Sequence, residues 1–550
     1  MLPNILSAAL AIAFSASGAV AAATTDAGLD RTVDRRLAGD RTGACLAVAV
    51  IDGDAVARSY RCADPGDASR IGPDAAFEIG SVAKTMTAAL LADLIAQGKA
   101  SLDDPLADYL PEGTAVPSYE GQPILLRHVV THTSGLPALP SRMGTTDPAD
   151  PYANLTEDAL LASLGDVSLA RAPGAQYEYS NFASMLLSYA VVRRAGSDFE
   201  TLIDTTLFTP LGMDGAYIAR RPDGVRAAAG HLPGGTETPA WTIAGNLAGV
   251  GGVRATLDDV VRYVQASLGQ TDAPVLAALQ ATQQRVSEQP SMGMNWIMAP
   301  LDGRTVFVHE GGTGGFSSYV GFDPQRRRGV VVLSDTSVTS LGGLGDLGNH
   351  LLDDRLPLGK PRRVAQPPAE LLDGLVGHWR LDTGMQVELA REGEALTIHP
   401  ENQPVFELGY DDAGDFFPLA FDALLTPRRR ADGSYVFVWH QGGGAIPATR
   451  IDAGAPAGAN ADAGAGTVDL ADYAGNYPLL PGFALKVDAA GGRLRAQATG
   501  QGAFPLDAAG KDTFEAPAYG IEIRFQRGAD GEVVSLDLHQ GGRVLSGTRE

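Results

Sequence analysis

The stretch "SVAKTMTAALLADLIAQGKA", which begins at Ser81, constrains the fold more than any other. Ala, Leu and Met favour a helix, and Gly98 supplies a stop. The helix is apolar nearly all round, so it must be enclosed on every side rather than laid on a surface. A chain that encloses it needs a large core. At 550 residues the sequence exceeds one core and allows two to four domains. With 45% apolar and 19% charged residues it reads as globular. A net charge of −23 argues against a nucleic-acid partner, because binding a phosphate backbone depends on basic groups that release counterions.

The N-terminus reads as an export signal over residues 1–21. Ile5 to Val20 is small and apolar, and Ala19-Val20-Ala21 fits a small-x-small cleavage site. The apolar run is too short and Ala-rich to anchor the chain, so no membrane span is expected in the mature protein. No Lys or Arg precedes it, and no Cys follows it to carry a lipid. The expected location is exported, periplasmic or secreted. Cys45 and Cys62 flank two strand-like runs around a tight Gly53-Asp54 turn. If Asp52 pairs with Ala55, Cys45 falls opposite Cys62 in a non-hydrogen-bonded pair, where side chains approach most closely. A disulfide is expected, in keeping with export.

Three blocks follow the signal. Residues 25–355 mix helical and strand patterns. Residues 356–452 and 467–550 are strand-rich, and a small-residue linker, 453–466, separates them. The two strand-rich blocks repeat one another. "GHW" at Gly377 and "GNY" at Gly475 lie 98 residues apart, as do "ADG" at Ala431 and at Ala529. "HQGG" recurs at His440 and His539. Each copy is expected to close into an antiparallel β-barrel, since closure removes exposed edges.

Ser81 and Lys84 are three apart and share a helix face. Ser81 stands at the N-terminus, where free N–H groups and the dipole favour negative charge. A lysine has a reference pKa of about 10.4. Desolvation lowers it and frees the amine lone pair to act as a base. Ser-x-x-Lys alone also fits a serine cap and a solvated lysine. Two further motifs change the balance: Tyr179-Ser180-Asn181, which closes "RAPGAQYEYSN", and "FVHEGGTGGFSSYVGF" from Phe307. The connectors "LLRHVVTHTSGLP", "LFTPLGM" and "AGVGGVRATLDDVVRY" agree with them. In order and rough spacing, residues 30–345 resemble the serine penicillin-recognising enzymes: class C β-lactamases, D-Ala-D-Ala carboxypeptidases, D-aminopeptidases and related esterases.

The resemblance implies an α/β (α+β) transpeptidase-like catalytic domain. Ser81 would be the acylated nucleophile, Lys84 would ease removal of its proton, and Tyr179 would shuttle a proton to the leaving group. Asn181 would donate to a substrate amide carbonyl, and the N–H groups of Ser81 and Gly312 would form the oxyanion hole. His309 and Gly311 would line the substrate site. Where β-lactamases carry Lys-Thr-Gly, this sequence carries His309-Glu310-Gly311. Histidine is mostly neutral at pH 7, so a clamp on a substrate carboxylate should be weak. Glu310 should face away from the site, since successive strand residues point to opposite faces.

A catalytic domain followed by two lipocalin-like barrels is similar to the three-domain D-aminopeptidases, in which a barrel loop restricts the site. The turns in "HQGGGAIP" and "LHQGGRVL" are candidates for such a loop. The expected activity is therefore that of a serine hydrolase, an aminopeptidase or amidase on D-amino-acid peptides. A carboxylesterase, a D-Ala-D-Ala carboxypeptidase or a weak β-lactamase are alternatives, and a non-catalytic penicillin-binding or wall-sensing module is an alternative of another class. Partners would be small peptide, amide or ester substrates, with a homodimer left open. No cofactor or metal is expected: His128 and His132 have metal-like spacing but lack an HExxH pattern or further ligands.

Overall fold

The computed structural model describes residues 24–451 and 470–550, apart from 145–146, 148, 402, 431, 442–443, 481–482, 491–492, 499–503, 517–520, 529–530 and 541–542. The expected signal and linker lie outside the described residues. So do the central glycines of both HQGG turns.

The first block is built on an eight-stranded antiparallel sheet. Its order is Ser287–Glu288, Ser291–Met292, Ile297–Leu301, Arg304–Gly312, Ser317–Asp323, Arg328–Ser334, Cys45–Asp52 (β1) and Ala55–Cys62 (β2). The pleat of β1 divides its side chains between two cores. Ala47, Ala49 and Ile51 join the large core that surrounds helix α2, Ala83–Ala96. Leu46, Val48 and Val50 join a second core under helix α1, Asp26–Leu37, and helix Gly345–Leu352. Helices thus cover both faces of the sheet. α2 is buried from Ala83 through Ala92, as its sequence requires, and Gly98 beyond its end is left-handed. Each of its enclosed Met and Leu side chains contributes about 2 kcal/mol of apolar burial.

β1 and β2 pair with Asp52 opposite Ala55 and Cys45 opposite Cys62. The two cysteines form a disulfide, with Cα atoms 3.9 Å apart. No helix among the described residues is long and apolar enough to cross a membrane.

The two later blocks repeat strand by strand. The first runs from Gly377–Leu381 to Gly444–Ile451 in sequence order, and its eight strands close as a barrel when His378 pairs with Ile451. Trp379, Leu425 and Phe437 fill it. The second, from Gly475–Leu480 to Arg543–Thr548, has eight strands in the same order. One feature of the repeat is chemical. Trp379 donates its indole N–H to the Leu375 carbonyl at 2.9 Å, and Tyr477 donates its hydroxyl to the Tyr473 carbonyl at 2.8 Å. Both aromatic rings are fully buried. A closed barrel is present in the first of the two blocks. The second block is an eight-stranded sheet; among the described residues its two ends meet through the Glu550 N–H and the Asn476 carbonyl, 2.9 Å apart. Its first strand carries Pro478, which has no N–H to give, and the register shifts between Pro478 and Leu480.

Candidate active site

The strand Ala75–Glu78 leads through Ile79 into a tight turn, Gly80–Val82, and then into α2. Gly80 has φ +50°, and a Cβ there would lie 2.7 Å from the Gly312 nitrogen and 2.8 Å from its oxygen. Only glycine lets the Ser81 turn pack backbone to backbone on the strand Arg304–Gly312. That strand turns back through Gly314-Gly315, and the Thr313 N–H donates to the Phe316 carbonyl at 3.0 Å. Ladder bonds alternate, so the next pair, Gly312 with Ser317, is not hydrogen-bonded. The Gly312 N–H therefore points away from the neighbouring strand and toward the Ser81 turn.

Lys84 is 1% exposed. Its Nζ lies 2.8 Å from Ser81 Oγ and donates to the Val250 carbonyl at 2.7 Å. Burial holds its pKa well below the ordinary lysine value. Val250 reaches the lysine because its loop packs tightly on α2: a Cβ on Gly249 would stand 2.5 Å from Thr87 Oγ1. The close glycines of "AGVGGV" thus bring the Val250 carbonyl to Lys84.

Tyr179 interacts with the Ser81 hydroxyl, and its ring centroid lies 5.0 Å from Lys84 Nζ. Burial raises the phenol's pKa far above its usual value, so it stays protonated. Asn181 opens the helix Asn181–Ala195, which Ser180 caps. Its Nδ2 donates to the Tyr152 hydroxyl at 3.2 Å, and its Oδ1 is buried without a partner. The second N–H of Nδ2 and the Oδ1 are both left for a substrate. Tyr152 also packs edge-on against Trp241, with centroids 5.2 Å apart. The Trp241 backbone N–H and Arg254 both bind Glu78 Oε1, at 3.1 and 2.9 Å. Burial raises the Glu78 pKa against the pull of Arg254. Sequence reading missed Tyr152 and Trp241, because each lies in a segment with no periodic pattern.

His309 is buried, and its Nδ1 donates to the Glu310 carbonyl at 2.7 Å, which leaves Nε2 as an acceptor. Burial first, then the Lys84 charge, lowers its pKa to about 4. Glu310 turns the other way and accepts the Leu344 N–H at 3.2 Å, beside the start of helix Gly345–Leu352. His128 accepts the Leu125 N–H, and His132 accepts the Ser180 N–H. Among the described residues no group of His, Cys, Asp and Glu could hold a metal ion.

The barrel reaches the segment behind Gly312. Asp422 accepts the hydroxyls of Ser337, at 2.8 Å, and Ser340. Between them, Thr339 Oγ1 would lie 2.5 Å from a Cβ on Gly312. His440 and Gly444, which flank the first HQGG turn, line a cleft with Thr339 and Ser340.

The beta-lactamase family profile matches residues 29–349, and a domain of unknown function (DUF3471) matches residues 464–549. The D-alanyl-D-alanine-carboxypeptidase/endopeptidase AmpH of Escherichia coli K12 is 32% identical over 332 residues, which cover 56% of this chain and 84% of that protein. A beta-lactamase of the same organism is 30% identical, over 53% of this chain and 83% of its own length. Penicillin-binding protein 4 of Amycolatopsis lactamdurans is 28% identical, over 60% and 89%. Among solved structures, a beta-lactamase/D-alanine carboxypeptidase from Yersinia pestis is 26% identical with a TM-score of 0.47, over 56% of this chain and 92% of that one. A profile that spans more than half of the chain, and that contains Ser81, Lys84, Tyr179 and His309, places this protein in the beta-lactamase family, the penicillin-recognising serine enzymes.

Proposed function

We propose that this protein is a serine hydrolase that cleaves amide bonds of D-amino-acid peptides through an acyl-enzyme on Ser81. The observation that carries the reading is the Lys84 Nζ, 2.8 Å from Ser81 Oγ and enclosed so that its neutral form is favoured. Lys84 takes the Ser81 proton as Oγ attacks the carbonyl carbon. The N–H groups of Ser81 and Gly312 receive the oxyanion. The protonated phenol of Tyr179 gives its proton to the leaving amine and is replenished from Lys84. Water then attacks the ester and the same groups run in reverse.

A neutral His309 offers no cation for a terminal carboxylate. That supports internal or blocked D-peptide bonds over free D-Ala-D-Ala termini, and the endopeptidase half of the AmpH name accords with it. The D-aminopeptidase reading is second, favoured by the two β-modules behind the catalytic block. The disulfide and the apolar N-terminus support a location outside the cytoplasm.

The test is a hydrolysis panel with Ser81→Ala as control. It holds a D-Ala-D-Ala peptide with a free and with an amidated C-terminus, a D-amino-acid anilide, a short nitrophenyl ester and a chromogenic cephalosporin. Preference for the amidated peptide is the expected result. Preference for the free acid would sink the His309 argument, and turnover by Ser81→Ala would point to another nucleophile.

A further inference from the structure

His132 has a conformation and a set of contacts that the proposed chemistry does not use. It is 1% exposed and takes φ +53°, a left-handed backbone that side chains other than those of Asn, Asp and His rarely adopt. Three contacts tie it to the Tyr179 segment. Its carbonyl accepts the Glu178 N–H at 2.7 Å. Its Nδ1 accepts the Ser180 N–H at 3.2 Å. Its ring lies 4.3 Å from the Tyr179 ring at a 32° tilt, and 6.0 Å from Tyr177 edge-on. Because Nδ1 accepts, it carries the lone pair and the imidazole proton sits on Nε2. Burial opposes a second proton, so the acceptor at Nδ1 persists.

We propose that His132 is the positioning residue for Tyr179: it grips the backbone on either side of the tyrosine and stacks on its ring, which fixes the phenol against Ser81. Three properties are needed at once: a flat ring, a lone pair at the δ position, and tolerance of a left-handed backbone. Histidine alone among the side chains has all three. Phenylalanine lacks the lone pair, and asparagine lacks the ring. The spacing to His128 that suggests metal binding has a different cause. His128 caps the short helix Leu126–Val130, and His132 lies beyond its end in the left-handed turn.

The inference rests on the reading of Tyr179 as the proton donor to the leaving group, and the test separates the two. An amine needs that proton and a nitrophenolate does not. We would measure kcat and KM for an amide and a nitrophenyl ester of the same acyl group, in Tyr179→Phe, His132→Phe and His132→Asn. Tyr179→Phe should lose about 100-fold more on the amide than on the ester. Both His132 variants should lose kcat on the amide about tenfold more than on the ester, with KM within about twofold. Equal losses on both substrates in the His132 variants, with the bias present in Tyr179→Phe, would overturn the inference alone. No bias in Tyr179→Phe would overturn the reading of Tyr179, and the inference with it. Should one His132 variant fail to fold, the amide-to-ester ratio of the other decides.

Discussion

Lys84 and His309 share one buried site, and desolvation lowers the pKa of each. A permanent cation at either position changes the chemistry in a predictable direction. Lys84→Arg keeps a donor for Val250 but removes the lone pair, so amide turnover should fall by about 10²-fold or more, as read from kcat. His309→Lys should strengthen binding of β-lactams, whose carboxylate would gain a cation; unchanged acylation by a fluorescent penicillin would show that the carboxylate does not meet this position. His309 also predicts a pH effect on stability. Its folded value is about 4 and its unfolded value about 6.5. Between them the unfolded chain binds a proton that the folded chain does not, so stability falls as pH drops through that window. The loss attributable to His309 is at most about 3 kcal/mol. Denaturant unfolding at pH 7 and pH 4.5 should differ less in His309→Gln than in the natural protein.

Elements joined by local contacts were legible in the sequence, and elements joined at a distance were not. The hairpin β1–β2 reads directly, because one turn sets the register and both cysteines follow from it. Removing the disulfide in Cys45→Ser/Cys62→Ser should cost about 2–3 kcal/mol in denaturant unfolding, since it closes a short loop already held by the hairpin. Helix α2 reads equally well, because its composition demands enclosure whatever surrounds it. The contact between Asn181 and Tyr152 could not be read, because Tyr152 comes from a separate loop. The way the two ends of the second module meet is a similar case. Pro478 is visible in the sequence, but the loss matters only once its strand lies beside the last one. His132 was visible as half of an i, i+4 pair. Its left-handed backbone and its stack on Tyr179 were not, because both arise where the Thr131–Pro137 turn meets residues 177–180.

At the scale of the whole molecule, the two β-modules stand in different relations to the catalytic block. The barrel is bound to it through a buried charge pair. Arg41, in the loop between α1 and β1, donates to Asp411 at 2.9 and 3.0 Å, and both side chains are almost wholly enclosed. Arg362 adds to the same carboxylate, and Arg41 stacks over the Phe417 ring at 3.3 Å. Asp422 holds Ser337 and Ser340 around the threonine that backs Gly312. The barrel thus supports the strand end that carries Gly312. Arg41→Ala would leave Asp411 with a weaker partner in an enclosed interface, at a cost of about 3 kcal/mol. The second module has a core of its own, formed by Tyr473, Tyr477, Leu485, Ile523 and Leu536. A chain ending after Ile451 should therefore retain turnover, whereas a chain ending at 355 would bare Arg41, Ser337 and Ser340 and lose most of it. The measurement is kcat for both truncated chains beside the full chain, with circular dichroism to establish that each is folded. A folded, fully active chain ending at 355 would show that the barrel gives no support to the Gly312 strand, and loss of turnover on removing only 452–550 would give the second module a part in catalysis that its separate core does not suggest.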